Sequence, residues 1–318
     1  MAKTRVDETR DGVDLTSLDQ PIFKGAGASK REHIDYLDGI ADRIVPVLRD
    51  RPLSVIRTSG PAPFMQKNLP EYTPEWVARV SVWAEASHRD VSYALCNDRR
   101  TLLWFGNQRA VEFHPALAFA DRLEHITHLV LDIDPPEDDF KAAVAVARLV
   151  HAALDGLGLR GAVKTSGAKG LHVFVPITPD TSAHDAAAAT RAIAERAAQL
   201  DPSIATTAFI KEDRGGKVFV DATRTGGATV VAAYSPRARP RVPVSFPVGW
   251  DDLDSISPRD FTISNAVAEL AGSDPWAATM PSDQELPADL LAEGHEIPIP
   301  RVAAMHEGKR RKAKERKA

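Results

Sequence analysis

Two acidic residues at the end of a strand-like segment have the spacing of a divalent-cation site. Asp132 and Asp134 lie in LVLDIDPPE with one residue between them, and alternate residues of a strand point to the same face. Neighbouring carboxylates repel each other unless a cation lies between them or one is protonated, and hard oxygen ligands suit Mg²⁺ or Mn²⁺. Pro135 ends the strand, which predicts the pair at a sheet edge. The alternative is a solvated strand end with two ordinary surface acids.

A lysine bracketed by glycines follows in KTSGAKGLHVFVPI, where Lys169 lies between Gly167 and Gly170. A tight turn of this kind exposes backbone N–H groups, and the lysine adds a positive charge, so the turn suits a phosphate. Ser166 could add a hydroxyl, and His172 could donate from the next strand. The spacing of the Walker phosphate loop is absent. A hairpin turn with an exposed lysine is the alternative.

A third acid, Asp221, stands alone in the apolar segment KVFVDATR. Arg224 could be its simple ion-pair partner, or Asp221 could be a third metal ligand with Arg224 as a phosphate clamp. His114, in EFHPA, is a lone histidine at a strand end. The ten histidines show no metal-type spacing and Cys96 is the single cysteine, which argues against a zinc site.

The predicted strands that would position these residues alternate with predicted helices along the second half of the chain. This alternation predicts a mixed α/β sheet with helices packed on it. In the first half, Ser29 and Glu32 form a capping-box pattern that predicts a helix over 30–48. The expected architecture is two packed sheets flanked by helices, with the active site between them. The segments in the second half are predicted as strands over 128–134, 217–222 and 229–234, and helices over 140–157 and 183–200.

The composition of the chain limits the classes of protein to which it can belong. The 318 residues carry 40 Lys and Arg against 44 Asp and Glu, with 43% hydrophobic residues, the balance of an ordinary globular protein. No apolar run is long enough for a membrane helix, and the N-terminal residues lack a secretory core, so the cytoplasm is the expected compartment. Residues 301–318 carry eight basic residues. This tail is interpreted either as a solvated tail or as a nucleic-acid contact.

The acid pair, the glycine-bracketed turn and the third acid together resemble the polymerase domain of bacterial ligase-D-type repair proteins, in the archaeo-eukaryotic primase superfamily. The resemblance runs over about residues 15–270. Flanking matches are PFMQKN at 63–68, VEFHP at 111–115, AAYSPRARP at 232–240 and WDDL at 250–253. It implies a primase-type catalytic core over 13–275, with a flexible N-terminus over 1–12 and a peripheral segment over 276–318.

The resemblance also implies a mechanism, namely template-directed nucleotide addition to a primer through two divalent cations, Mn²⁺ or Mg²⁺. The implied metal ligands and catalytic residues are Asp132, Asp134 and Asp221. A preference for ribonucleotides is implied as well. The residues that match the family's nucleotide pocket are Ser166, Lys169, His172, Arg224, Arg237 and His114.

The partners implied by the resemblance are NTPs or dNTPs, and gapped or broken duplex DNA with a 5′-phosphate. Lys30, Phe64 and Lys67 match the DNA-contacting region. Two departures, Gln20 where relatives commonly carry a lysine and Met65 where they carry an aromatic residue, put one phosphate contact and one stacking contact in question. A separate DNA ligase and an end-binding protein would complete repair in the bacterial nucleoid. The alternatives are a non-catalytic module that bridges DNA ends and a metal-dependent phosphohydrolase.

Overall fold

A computed structural model describes residues 5–84, 88–226 and 229–299. Within them the helices are α1 Lys30–Leu48, α2 Arg99–Asn107, α3 Phe140–Asp155, α4 Ala183–Leu200, α5 Ala266–Glu269, α6 Pro275–Thr279 and α7 Ala288–Glu296. The strands are β1 Val6–Arg10, β2 Val13–Thr16, β3 Leu53–Arg57, β4 Phe64–Gln66, β5 Arg79–Ala84, β6 Arg89–Ala94, β7 Ala110–Pro115, β8 His128–Asp134, β9 Ala162–Thr165, β10 Leu171–Pro176, β11 Ala205–Thr206, β12 Val218–Asp221 and β13 Pro247–Val248.

The chain divides into two compact units. Within the described residues, the first comprises 5–84, 88–123, 164–168 and 229–279, and the second comprises 124–163, 169–226 and 280–299. Each contains helices and strands, which confirms the mixed α/β class. The described residues form three sheets, one more than predicted, because β1 and β2 pair as a separate antiparallel ribbon. The domain boundaries assigned from the sequence stay a prediction.

The first unit is organised on a sheet in the order β4-β3-β6-β5, with β7 also paired to β3. Helix α1 begins at the predicted N-cap, where the Ser29 hydroxyl accepts from the Glu32 N–H and the Glu32 carboxylate accepts in return. The periodic apolar face of α1 is buried. His33 on this helix lies 2.9 Å from the Ala110 carbonyl oxygen at the start of β7, so α1 is fixed against the strand that carries Glu112 and His114.

Strands β11, β12, β8 and β10 of the second unit are neighbours in that order in one sheet. Strand β8 is antiparallel to both β12 and β10. As predicted, β8 ends at Asp134, directly before Pro135, so the two acids lie at the end of the strand, and both sides of the strand are paired. Helix α4 begins where Ser182 accepts from the Asp185 N–H, and its alanine-rich face is buried, since small side chains let it approach the sheet closely.

The prediction of a strand over 229–234 was wrong. Its apolar side chains are buried, which produces the strand-like pattern, but the backbone follows another path. The Ala232 N–H donates to Phe113 O and the Tyr234 N–H to Ser245 O, while Tyr234 has a φ of 67°, a left-handed conformation that interrupts an extended run. Conversely, the short strand β4 forms within SGPAPFMQKN, a stretch whose proline and polar residues are typical of a loop. No helix of the described chain combines the length and apolar character that crossing a bilayer requires.

Candidate active site

Three predicted site residues form one row across adjacent strands of the second unit. In the strand register Asp221 is opposite Asp132, and His172 is opposite Asp132 on the other side. Residues directly opposite in a sheet share a face, with Cβ atoms about 5 Å apart. Asp134 is two residues farther along β8 and therefore lies on that face as well. The register thus brings together the DxD pair, the third acid and the histidine, residues that are separated by up to 89 positions in the chain.

Asp132, at the centre of the row, lies between His172 and Arg224. Its Oδ1 lies 3.4 Å from His172 Nε2 and its Oδ2 lies 3.0 Å from a terminal nitrogen of Arg224. Burial alone would raise the pKa of Asp132, but the His172 ring and the Arg224 guanidinium outweigh it and hold the pKa well below its usual range. Asp132 is therefore ionised at neutral pH and ready to bind a cation.

Asp221 is buried at the end of β12, and both of its oxygens have partners. Its Oδ1 accepts hydrogen bonds from the Thr223 N–H at 2.8 Å and the Thr223 hydroxyl at 2.6 Å. Its Oδ2 lies 3.4 Å from Arg224 Nε. Arg224 therefore contacts both Asp221 and Asp132, and the simple ion pair predicted as the alternative is present alongside the carboxylate row.

Asp134 is more exposed and is faced by two cations. Lys169 Nζ lies 3.0 Å from its Oδ1, and Arg214 lies 3.7 Å from its Oδ2. Lys169 also donates to the Pro135 carbonyl oxygen at 2.7 Å, and the Arg214 guanidinium lies 3.8 Å from the centre of the Phe219 ring. Sequence reasoning did not single out Arg214, and its place beside the acids depends on the packing against Phe219.

The glycine before β10 determines how closely the turn approaches the acids. A Cβ atom added at Gly170 would lie 2.0 Å from the carbonyl oxygen of Ile133, far inside van der Waals contact. A glycine is therefore required for β10 to pass beside the end of β8. The approach also sets the positions of Lys169 and His172, which flank this glycine by one and two residues.

The donor set of the row fits a divalent cation of the Mg²⁺ or Mn²⁺ type. It consists of carboxylate oxygens on one face of neighbouring strands, which are the hard ligands that such ions take. Each carboxylate is turned toward a side-chain cation, so a metal ion would replace Arg224 at Asp132 and Lys169 at Asp134. Among the described residues, the set of three groups whose potential ligand atoms all lie within 4.8 Å of one another is His184, Asp185 and His295, which lies outside this row.

The remaining predicted nucleotide-pocket residues meet in the first unit around a buried glutamate that sequence reasoning missed. Glu112 Oε2 lies 2.9 Å from His114 Nε2 and 3.1 Å from Arg237 Nε. Its Oε1 accepts from the Ala238 N–H. Arg237 in turn donates to the Ser166 carbonyl oxygen. The signal that could have found Glu112 is the one that found Asp221, a lone acid in an apolar strand.

This cluster has a defined charge state. Burial would raise the pKa of Glu112, but the His114 hydrogen bond and the Arg237 charge reverse the effect and lower it to about 2. Burial lowers the pKa of His114 in spite of the nearby carboxylate. An anionic Glu112 therefore orients both side chains, with Arg237 carrying the compensating charge.

Replacing Glu112 by glutamine should lower the stability of the protein by an amount that depends on pH. A carboxyl group whose pKa falls from 4.5 to about 2 on folding stabilises the folded state above pH 4.5, and this contribution is lost as the pH falls toward 2. The difference in free energy of unfolding between the intact protein and Glu112→Gln should thus be constant near neutrality and shrink in acid. Denaturant unfolding across pH measures it, with the exposed Glu71→Gln as control. A difference that grows as the pH falls would contradict this reading.

The residues predicted to contact DNA lie in the first unit, and they differ in solvent exposure. The Phe64 side chain is 43% exposed on β4, with the Arg57 guanidinium 6.0 Å from the centre of its ring, and Lys67 is exposed. Lys30 is buried and donates to Thr16 O and Asn107 Oδ1, each at 2.6 Å. Burial lowers the pKa of Lys30 to about 8. The basic tail over 301–318 lies outside the described residues.

Comparison with known proteins identifies a family. The model described as "LigD, primase-polymerase domain" matches residues 29–276. The bifunctional non-homologous end joining protein LigD of Bacillus subtilis is 32% identical over 266 residues, which cover 81% of this chain and 42% of that protein. The multifunctional LigD of Pseudomonas aeruginosa is 32% identical over 275 residues, covering 84% of this chain and 32% of that protein. The chain thus spans less than half the length of these relatives.

A solved structure is similar over nearly its whole length. The polymerase domain of Mycobacterium tuberculosis Ligase D, in complex with DNA, superimposes with a TM-score of 0.76 at 28% sequence identity. The superposition covers 84% of this chain and 97% of that one. The mixed α/β architecture described above is therefore that of a polymerase domain.

Proposed function

The chain belongs to the LigD primase-polymerase family, and from that premise we propose that it is a template-directed nucleotidyltransferase that extends primers at short gaps or breaks in DNA. The observation that carries the proposal is the row of Asp221, Asp132 and His172 across three strands, with Asp134 on the same face. A polymerase site needs acids to hold cations and basic groups to hold a triphosphate. Both kinds of residue meet here in one unit.

In this proposal Asp132, Asp134 and Asp221 hold two divalent cations, Mn²⁺ or Mg²⁺. When bound, such ions neutralise the triphosphate and make the primer 3′-hydroxyl a better nucleophile. Asp132 is suited to this because its carboxylate is ionised, while Thr223 fixes the orientation of Asp221. The ion pairs of Arg224 and Lys169 with the acids would be exchanged for contacts with cation and phosphate, so these side chains are held at the site before substrate arrives.

The triphosphate contacts follow from the positions of the basic side chains. Lys169, His172 and Arg224 surround the carboxylates and would bind phosphoryl oxygens as hydrogen-bond donors. Ser166, Arg237 and His114 form a separate polar group in the first unit, ordered by Glu112, and we assign nucleotide binding to this group as well. We further propose a preference for ribonucleotides, because a 2′-hydroxyl offers both a donor and an acceptor that such a polar group can read.

The DNA contacts are assigned to the first unit. The exposed ring of Phe64 can stack on a base, and such stacking is worth about 1–3 kcal/mol. Lys67 is available for a 5′-phosphate. Lys30 has two of its three donor protons engaged by Thr16 and Asn107, so a phosphate would receive only the third. The Mycobacterium tuberculosis domain was solved with DNA, which supports DNA as the substrate class.

Completion of repair requires other proteins in this proposal. Filling a gap leaves a 3′-hydroxyl next to a 5′-phosphate, and joining the two is the reaction of a ligase. Holding two broken ends together would fall to an end-binding protein. The relatives are named as non-homologous end joining proteins, which supports this pathway and a site of action at the bacterial nucleoid.

Primer extension on a duplex with a short gap and a downstream 5′-phosphate tests the proposal. We expect Mn²⁺-dependent addition of the nucleotide that the template specifies, faster with ribonucleotides than with deoxyribonucleotides, and weaker when the 5′-phosphate is removed. Release of phosphate without a template would indicate a phosphohydrolase. DNA binding without nucleotide addition under either metal would indicate a module that bridges ends.

A further inference from the structure

Two histidines and an aspartate of the second unit form a cluster that has no part in the proposed polymerase site. His184 and Asp185 lie in the first turn of α4, and His295 lies in the last turn of α7. One potential ligand atom from each lies within 4.8 Å of the others. His295 Nε2 is 2.8 Å from Asp185 Oδ1, and the rings of His184 and His295 stack with centroids 4.5 Å apart. Three metal-ligating groups from two helices therefore converge at one point.

The backbones that carry these side chains are held together by contacts independent of the cluster. A Cβ atom added at Gly294 would lie 2.1 Å from the Ala188 carbonyl oxygen, so α7 crosses α4 with the two backbones in direct contact. Arg191 donates to the Gly294 carbonyl oxygen at 3.0 Å, and Arg196 pairs with Glu293. His295 is therefore placed beside the first turn of α4 before any ion binds, and an ion would not need to order the helices.

The ligand set favours zinc. Two imidazoles and one carboxylate form a common three-residue zinc environment, with metal–ligand distances of about 2.0–2.2 Å and water in the fourth position. Tetrahedral ligands at that distance lie roughly 3.4 Å from one another, so the 2.8 Å separation of His295 and Asp185 would open slightly, and the separations to His184, within 4.8 Å, would adjust toward the same value. All three side chains reach solvent, which leaves room for that rotation and for the water.

Two further features agree with a cation at this point. The second oxygen of Asp185 accepts from the Ser182 hydroxyl at 2.8 Å, and such outer contacts orient metal-ligating carboxylates. The N-terminus of α4 carries a partial positive charge that opposes a cation, but the C-terminus of α7 beside His295 carries a partial negative charge that offsets it. Asp185 supplies the net negative charge.

We propose that His184, Asp185 and His295 bind a zinc(II) ion that cross-links α7 to the start of α4. The site stands apart from the carboxylate row in its ligands, since nitrogen donors suit zinc whereas the three aspartates suit Mg²⁺ or Mn²⁺. Its role is structural. It fixes the last helix of the described chain, and it would hold α7 in place irrespective of whether the chain is a polymerase.

Zinc titration of protein without an affinity tag tests the site, with excess Mg²⁺ present to occupy the carboxylate row. We expect one zinc equivalent that His184→Ala and His295→Ala each weaken by at least tenfold, since even loss of an outer contact costs about 10–100-fold in metal affinity. His151→Ala is the matched control, because His151 also lies near an aspartate, Asp155 at 3.9 Å, but on a single helix. Equal zinc affinity in the intact protein and all three variants would overturn the proposal.

Hydrogen exchange provides a second test, because a zinc ion that bound at the surface without joining α4 and α7 would not change the exchange rates of α7. Zinc should slow amide exchange over Ala288–Glu296 in the intact protein and in His151→Ala, but not in His295→Ala. Primer extension should be the same in intact protein and His295→Ala, because this residue lies outside the proposed polymerase site. Zinc binding that leaves exchange in α7 unchanged would show that the two helices do not share the ion and would overturn the cross-link.

Discussion

Replacing Asp132 by asparagine should lower the rate of templated nucleotide addition by about 10³-fold or more, which corresponds to about 4 kcal/mol of transition-state stabilisation. The substitution keeps the size of the side chain but removes the charge at the centre of the row, where Asp221 and His172 are its cross-strand neighbours. DNA affinity should change little, because a carboxylate does not attract phosphate. Single-turnover primer extension measures the rate, and a DNA titration measures the affinity.

Two further variants serve as comparisons for Asp132→Asn. Asp134→Asn changes a half-exposed acid of the same row, so it should cause a loss of similar size without disturbing buried contacts. Asp155→Asn changes an exposed acid at the end of α3 and should extend primers at the rate of the intact protein. If Asp132→Asn and Asp134→Asn both kept full activity while folded, the carboxylates could not hold the catalytic ions.

Replacing Gly170 by alanine should destabilise the protein by about 3 kcal/mol and slow nucleotide addition by about 10²-fold. The new methyl group would meet the Ile133 carbonyl oxygen at 2.0 Å, and backbone cannot move aside as a flexible side chain can, so the cost lies at the upper end of overpacking effects. Relief of the clash moves β10 away from β8, which carries His172 away from Asp132, and small misplacements of reacting groups are costly. Denaturant unfolding and primer extension measure the two effects.

Gly156→Ala is the matched control for this substitution. Gly156 ends α3 with helical backbone angles, and an added Cβ would make only ordinary contacts, the nearest at 3.5 Å from Ala152 O. Alanine there should leave activity intact and raise stability slightly, by about 0.4–1 kcal/mol. If Gly170→Ala were as stable and active as Gly156→Ala, the close approach of β10 to β8 would not be required.

Local patterns in the sequence were sufficient to predict several elements to the residue. The capping box of Ser29 and Glu32 and the apolar period after it predicted α1 over its observed span. The strand period predicted β8, with Asp132 and Asp134 on one face. These predictions succeed because capping and side-chain alternation depend on neighbours within a few residues. The family resemblance was likewise carried by short motifs, and the comparisons confirm it.

The apolar side-chain pattern gave a wrong prediction of a strand where buried residues lie on a backbone that is not extended. Residues 229–234 are apolar and buried like a strand, but their hydrogen bonds go to Phe113 and Ser245, and Tyr234 turns the chain. Pro135 correctly predicted that β8 ends at Asp134, but it did not predict that β12 and β10 pair with the two sides of β8. A local pattern contains no information about which distant strand will become a neighbour.

The sequence by itself determined which residues are the candidates for the chemistry, namely three acids, a glycine-bracketed lysine and a histidine, together with the class of the fold. Only the tertiary structure decided that Asp221 and His172 lie opposite Asp132, that Glu112 orders His114 and Arg237, and that His295 meets Asp185 across 110 positions of the chain. The physical reason is that strand register and helix crossing are set by packing over the whole unit. Residue type and spacing, by contrast, act within a single turn or strand.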